Sequence, residues 1–373
     1  MASPASTPRP PTDSPPYTPK IAVLGGYPTV EEDVPISAVF MLLFLLAAVG
    51  HMTIFIRNKK RGHKFLISGA MFGFCMARNL ACILRIVWAA EPSNVSVVIA
   101  AQLFASLGDI FGYVINLIFT QRILRAAIPY FGWRRVPSFA FIFVYGLLFL
   151  SASLLVGFTV GAYYTLDKEF LKASRDISIY GSTVFATTSV LPLFILPAIL
   201  AVRTRAHEEN FGHGSLLSKV VIVLFGTMTM ACGQWYRTGT TYANPHPRAH
   251  PALYQAKGAF YVFYFTMDVV VIWSYLLLRM DRRFWVPNGS SGPGDYSKGW
   301  EDDRVRLSLV GRDGEDAIYK IRPMESHTSL TLTAAADAAS ENLVRVFAYR
   351  LCDVEHGGET PLEEMGSARE APV

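Results

Sequence analysis

Charge is scarce in this 373-residue chain: 17% of residues are charged and 51% are hydrophobic. Soluble domains carry about a quarter charged residues, so the deficit points to an apolar solvent. Cysteine is scarce too. Of the four, Cys75, Cys82 and Cys232 lie in apolar runs and Cys352 in the C-terminal tail, with no CxxC spacing. A disulfide framework and a cysteine metal site are therefore excluded. GxSxG, HExxH and P-loop motifs are missing, so no enzyme and no cofactor are expected. The start, MASPASTPRPPTDSPPYTP, lacks the basic and apolar regions of a signal peptide and reads as a disordered arm. His246-x-x-x-His250 has metal-like spacing but lies in the Pro-rich stretch NPHPRAHP, where nothing makes the rings converge. No metal is expected there.

Long apolar runs are what the chain does have. Seven segments, about 35–56, 65–89, 96–121, 137–163, 177–202, 216–236 and 256–279, reach the roughly 20 residues that a helix needs to cross a bilayer. They lack the period-2 alternation of barrel strands. The sixth, with its Gly and Thr residues, is the weakest.

Lys and Arg near the run ends orient the set. One side holds 15: Arg57, Lys59, Lys60, Arg61, Lys64, Arg122, Arg125, Arg134, Arg135, Arg203, Arg205, Lys219, Arg279, Arg282 and Arg283. The other holds 8: Arg9, Lys20, Lys168, Lys172, Arg175, Arg237, Arg248 and Lys257. The positive-inside rule then places the N-terminus outside and the tail in the cytoplasm. Residues 1–287 carry 25 basic against 13 acidic residues, and 288–373 carry 9 against 16. A basic membrane body thus continues into an acidic tail. Because the basic residues sit in short clusters between apolar runs, they report orientation, and a nucleic-acid partner is excluded.

The expected fold is an all-α membrane protein, a seven-transmembrane helix bundle. Residues 1–34 form a disordered extracellular arm, 35–283 the helical domain and 284–373 a mostly disordered cytoplasmic tail. Within that tail, Glu341 to Cys352 can form a short amphipathic helix, and the Ser/Thr residues around 326–333 can accept phosphate. Asn94-Val95-Ser96 is a sequon on the outer side, so Asn94 is a candidate glycosylation site, although it lies almost against two helices. A second sequon, Asn288-Gly289-Ser290, falls on the cytoplasmic side.

Ionisable residues near the middle of a spanning helix cost about 2.5–3.5 kcal/mol each on insertion scales, so each needs a partner or a purpose. Three stand near a midplane: Arg78, Asp109 and Asp268. The tight turn AAEPSN makes helices two and three antiparallel neighbours, which puts Arg78 and Asp109 at one depth. They are expected to pair, with Asp268 as a second acceptor. Cys75, Arg78, Asn79, Cys82 and Arg85 form one polar face on the second helix, and Asp109, Tyr113 and Asn116 answer on the third. His51 lies deeper toward the cytoplasm. These faces point into the bundle, either as a registry device or as a ligand or ion pocket. Gly108-x-x-x-Gly112 and Gly157-x-x-x-Gly161 allow close helix approach, and Pro192 and Pro197 are positioned to kink the fifth helix.

The stretches VFMLLFLLAAVGHMTIF, RGHKFLISGAMFGFCMAR, LRIVWA, NLIFTQRILRA and LRMDRRFWVPNGSSGPGDY resemble a fungal family of seven-helix membrane proteins often labelled family C-like G-protein-coupled receptor. The resemblance spans roughly 35–297 and implies seven helices and a fungal source, without an activity. The fragment GQWYRTGTTY, followed by a helix bearing Asp268, is similar to part of the RTA-type lipid-translocating exporters, which implies a translocator as the alternative. Rhodopsin-type marks are absent: the third run ends TQRILRA without D/E-R-Y, and the seventh lacks NPxxY. The expected role is receptor- or sensor-like. The expected partners are the lipid bilayer, a small-molecule or lipid ligand, and a cytoplasmic signalling partner that meets the basic loops and tail.

Overall fold

The computed structural model describes residues 14–17, 21–204, 208–248 and 250–298. The chain divides into two units, Met1–Pro323 and Met324–Val373, and the second lies wholly outside the described residues. So do the 326–333 and Glu341–Cys352 stretches.

Seven of the described helices are long and apolar enough to cross a membrane. They are α1 (Val30–Lys60), α2 (Leu66–Ala90), α3 (Val95–Ala127), α4 (Arg135–Ala162), α5 (Lys168–Val202), α6 (Leu216–Tyr242) and α7 (Lys257–Leu277). Most outrun their apolar runs, because helical hydrogen bonding continues into polar ends that hydropathy does not register. Local signals set several starts. The Asn94 side chain accepts from Val97 N at 3.3 Å, Asp167 from Glu169 N at 3.2 Å and Ser215 from Ser218 N at 3.2 Å. At α1 the Asp33 carboxylate reaches back to Thr29 N at 2.8 Å. The same helix has Glu31, Glu32 and Asp33 in its first turn and Arg57, Lys59 and Lys60 in its last, as its dipole favours.

Neighbours in sequence pack together: α1 on α2, α2 on α3, α4 on α5 and α5 on α6. Helix α3 also packs on α5 and α6, and α7 packs on α1 and α6. Burial follows the same logic. Helix α6 is the most enclosed of the seven, while α1 and α4 are the most exposed. The Gly and Thr residues that weakened α6 as an apolar run are those of a helix surrounded by protein. Gly226 faces the Tyr275 hydroxyl and Gly233 the Phe263 carbonyl, with no room for a Cβ.

Both ends of the bundle hold more structure than the boundaries at 34 and 284 anticipated. Before α1, Ala22 N donates to His246 O at 2.9 Å, and Gln255 Nε2 donates to Ala22 O at 3.2 Å. The segment from Ile21 is thereby pinned across the loop between α6 and α7. After α7, Arg279 takes the left-handed conformation that ends many helices, with φ 51°. Phe284 and Tyr296 are then buried, and Glu209 accepts from Gly294 N at 2.7 Å and Tyr296 N at 3.1 Å. Residues 284–298 therefore belong to the end of the bundle. Their aromatic side chains have apolar cover there, which composition alone did not reveal. Asn288 is engaged as well, donating to Gly62 O at 2.7 Å.

Helix α5 runs through Pro192 and Pro197 without interruption. Gly108 lies against the Arg78 guanidinium and Gly112 against Met230, as close approach requires. Gly161 meets the Phe170 ring, but Gly157 faces open space.

Candidate functional site

The polar faces of α2 and α3 do point inward: Arg78, Asn79, Arg85, Asp109, Tyr113 and Asn116 are all buried, as is Asp268 of α7. They separate into distinct networks.

Arg78 carries the central one. Its guanidinium pairs with Asp109, its Nε lies 2.5 Å from Asp268 Oδ2, and its Nη1 donates to Ala105 O at 2.8 Å. The other oxygen of Asp109 pairs with Arg237 of α6. The order is Asp268, Arg78, Asp109, Arg237, and the formal charges cancel. Arg237 also lies over the Tyr264 ring at 3.7 Å, and its Nη2 donates to Phe263 O at 3.4 Å. Neutrality makes four charges tolerable at this depth, because each ion is matched by an opposite one and by further hydrogen bonds.

Two backbone irregularities supply those carbonyls. Helix α3 is interrupted at Gly108–Asp109, between its segments Val95–Leu107 and Ile110–Ala127, and α7 contains a π-helical stretch, Tyr261–Thr266. An irregular turn alters the helix's own hydrogen-bond ladder, and in lipid a displaced carbonyl must find another donor. Ala105 O receives Arg78 and Phe263 O receives Arg237. The irregularities and the ions therefore satisfy one another.

Arg85 sits two turns along α2 from Arg78, in a second network near the start of α1. Its Nη2 lies 2.7 Å from Asp33 Oδ1 and donates to Gly25 O at 2.8 Å. Tyr261 OH donates to the same Asp33 oxygen at 2.8 Å, and Lys257 Nζ reaches Asp33 Oδ2 at 2.7 Å. The remaining residues separate again. Tyr113 OH donates to Gln234 Oε1 at 2.8 Å, and Gln234 Nε2 donates to Ser182 O at 3.3 Å. Asn116 Oδ1 accepts from Tyr275 OH at 2.5 Å, and Asn79 bonds within its own helix, to Cys75 O at 3.1 Å. His51 lies apart from all of these, its Nε2 3.3 Å from Ile272 O.

Sequence reasoning missed Arg237, Asp33, Lys257, Tyr261 and Gln234. The apolar run ends at 236, so hydropathy leaves Arg237 in a loop. Helical phase is the signal that finds it: Gly226, Met230, Gln234 and Arg237 recur on one face, and that face is buried. Asp33 falls inside the 1–34 arm by hydropathy, although it lies in the first turn of α1.

A cavity of about 370 Å³ lies between the two networks. Ala81, Arg85 and Trp88 of α2, Gln102 and Ser106 of α3, Leu155 of α4, Ser178 and Phe185 of α5, Gln234 and Arg237 of α6 and Phe265 of α7 line it, together with residues 21–24. These positions fall in the half of each helix nearest the N-terminal end of the bundle. Toward the other end, a pocket beside His51 holds about 10 Å³. Asn94 is exposed at the rim, where its side-chain oxygen caps α3. Among the described residues no cluster of His, Cys, Asp or Glu has metal-binding form.

The fold and this site define a class: a seven-helix, multi-pass membrane-type bundle with an internal ion network beside a cavity. Within the chain, residues 213–285, which cover α6, α7 and their connection, match a family described as Protein of unknown function (DUF3112). No curated protein and no solved structure matches the chain.

Proposed function

We propose that this chain is a membrane sensor. It binds a small molecule or lipid in the cavity and relays occupancy through the Asp268–Arg78–Asp109–Arg237 network to the basic end of the bundle. One observation carries this reading. The cavity reaches down to the ion network, while the pocket toward the other end is far smaller, about 10 Å³. A blind site beside interlocked charges suits detection, because a ligand can change how α2, α3, α6 and α7 share those charges.

In this reading the N-terminus lies outside, as the basic residues at the other end favour. Arg237 strengthens that bias, since it is an internal ion and not an outer-loop charge. The loops bearing Arg57–Lys64 and Arg134–Arg135, with the 284–298 segment, form the surface for a cytoplasmic signalling partner. The resemblance to receptor-like fungal proteins agrees with this role. The DUF3112 match is neutral to it.

The alternative is an RTA-like translocator, for which the irregular α7 and the matched ions offer a polar path. Reconstitution separates the two. Vesicles containing the purified chain should exchange a fluorescent lipid between leaflets no faster than protein-free vesicles. Exchange that depends on Asp109 would replace the sensor with a translocator. Ser178→Phe, which fills the cavity, should alter hydrogen exchange in residues 284–298. An unchanged pattern there would remove the relay.

A further inference from the structure

The cavity's chemistry also indicates what it accepts. Among the described residues its lining contains two cations, Arg85 and Arg237, and no Asp or Glu. Asp33 pairs with Arg85, Asp109 with Arg237 and Asp268 with Arg78, and none of the three carboxylates lines the space.

The wall also keeps unused donors. Arg237 Nε, Trp88 Nε1 and Gln102 Nε2 are buried N–H groups without a hydrogen-bond partner. Arg85 uses Nε and Nη2 on Asp33, Tyr261 and Gly25, and its Nη1 bonds to none of them. A buried donor left unpaired costs about 1–3 kcal/mol, and all of these orphans are donors. Guanidinium groups favour carboxylate and phosphate acceptors, which give the stronger, charge-assisted bonds. The remaining surface combines an apolar part, including Ala81, Leu103, Leu155, Phe185 and Phe265, with neutral hydroxyl and amide groups such as those of Ser106, Ser178, Thr241 and Gln234. Its volume is that of a typical small-ligand site.

We infer that the cavity binds an anionic amphiphile, with a carboxylate or phosphate head at the Arg85, Arg237, Trp88 and Gln102 donors and an apolar body along the aliphatic and aromatic wall. This rests on the cavity of the proposed sensor and adds the class of its ligand. The existing ion pairs stay intact, since the head uses N–H groups that the carboxylates leave free.

The test uses the full chain in phosphatidylcholine nanodiscs with four probes: oleate, lysophosphatidate, oleyl alcohol and inorganic phosphate. Oleate or lysophosphatidate should raise the unfolding midpoint and bind at least about tenfold more tightly than oleyl alcohol, a preference of about 1.4 kcal/mol. Inorganic phosphate alone should have little effect. Trp88→Phe and Gln102→Met remove an N–H while keeping much of the shape, and together they should erase most of the preference. If Trp88→Phe unfolds early without a probe, Gln102→Met alone carries the comparison. Equal binding of oleyl alcohol would overturn the inference. So would a full effect from inorganic phosphate, full discrimination by the variants, or no binding by either anionic probe. Loss of the head preference would leave the sensor reading standing, whereas lipid exchange in vesicles would remove the sensor and leave the head preference intact.

Discussion

The two halves of the bundle solve the same problem in opposite ways. Toward the N-terminal end, α3 and α7 depart from regular helix, ion pairs are buried and a cavity of about 370 Å³ remains. Toward the other end, aromatic contacts close the space. Phe119 meets Phe284 with ring centroids 4.2 Å apart, Trp133 meets Tyr296 at 5.5 Å and Arg125 lies over Trp133 at 4.3 Å. In an apolar solvent, irregular backbone and charge persist only where protein surrounds them or where they line a space. In the proposed reading, the first half is the working half and the second is the closed base.

The largest expected effect falls on the central network. Arg78→Ala strands Asp268 and leaves Asp109 to Arg237 alone, and breaking a buried pair in this way costs about 3–5 kcal/mol. Denaturant unfolding in detergent should register it. Arg85→Ala should cost clearly less, because Asp33 keeps Lys257 and Tyr261. Equal losses would mean that the two networks are not different in kind.

Packing in the closed half comes next. Gly226→Ala places a methyl group on the Tyr275 hydroxyl, which also serves Asn116, and overpacking of this kind costs about 1–3 kcal/mol. A variant as stable as wild type would show that this interface is looser than its geometry. Glu209→Gln weakens the hold on Gly294 N and Tyr296 N by about 1 kcal/mol. Hydrogen exchange should quicken at 294–296 and stay unchanged around the cavity.

The smallest effect is an acid dependence at the base. Burial pushes the Asp281 carboxyl up, but hydrogen bonding and charge from Arg279 and the bond from Asn58 outweigh it, so its pKa lies below the ordinary 3.8. A depressed carboxylate stabilises the fold above the unfolded value and loses that contribution as pH falls through the folded one. Stability should therefore decline below pH 3.8, and Asp281→Asn should flatten that part of the profile.

How much of this was legible in the sequence depends on the signal each part leaves. Seven helices were, because an uninterrupted apolar run of about 20 residues matches the thickness of a bilayer core. Arg78, Asp109 and Asp268 were legible as a group, since charges at matching depth must meet. Arg237 was not, because hydropathy stops at Tyr236 while the helix continues to Tyr242. The 284–298 segment was hidden by its Gly, Ser and Pro content, and only the burial of Phe284 and Tyr296 reveals its place. The irregular turns in α3 and α7 have no sequence signature of their own. They depend on tertiary partners for the carbonyls they displace.

Cysteine accessibility tests most directly whether the cavity is blind and opens at an outer, N-terminal end. In a background carrying Cys232→Ala and Cys352→Ala, Ser178→Cys should react with a membrane-impermeant maleimide added outside intact cells. Thr120→Cys, buried in the closed half, should react from neither side. Labelling of Ser178→Cys only from the cytoplasmic side, or of Thr120→Cys from either side, would contradict a blind outer site.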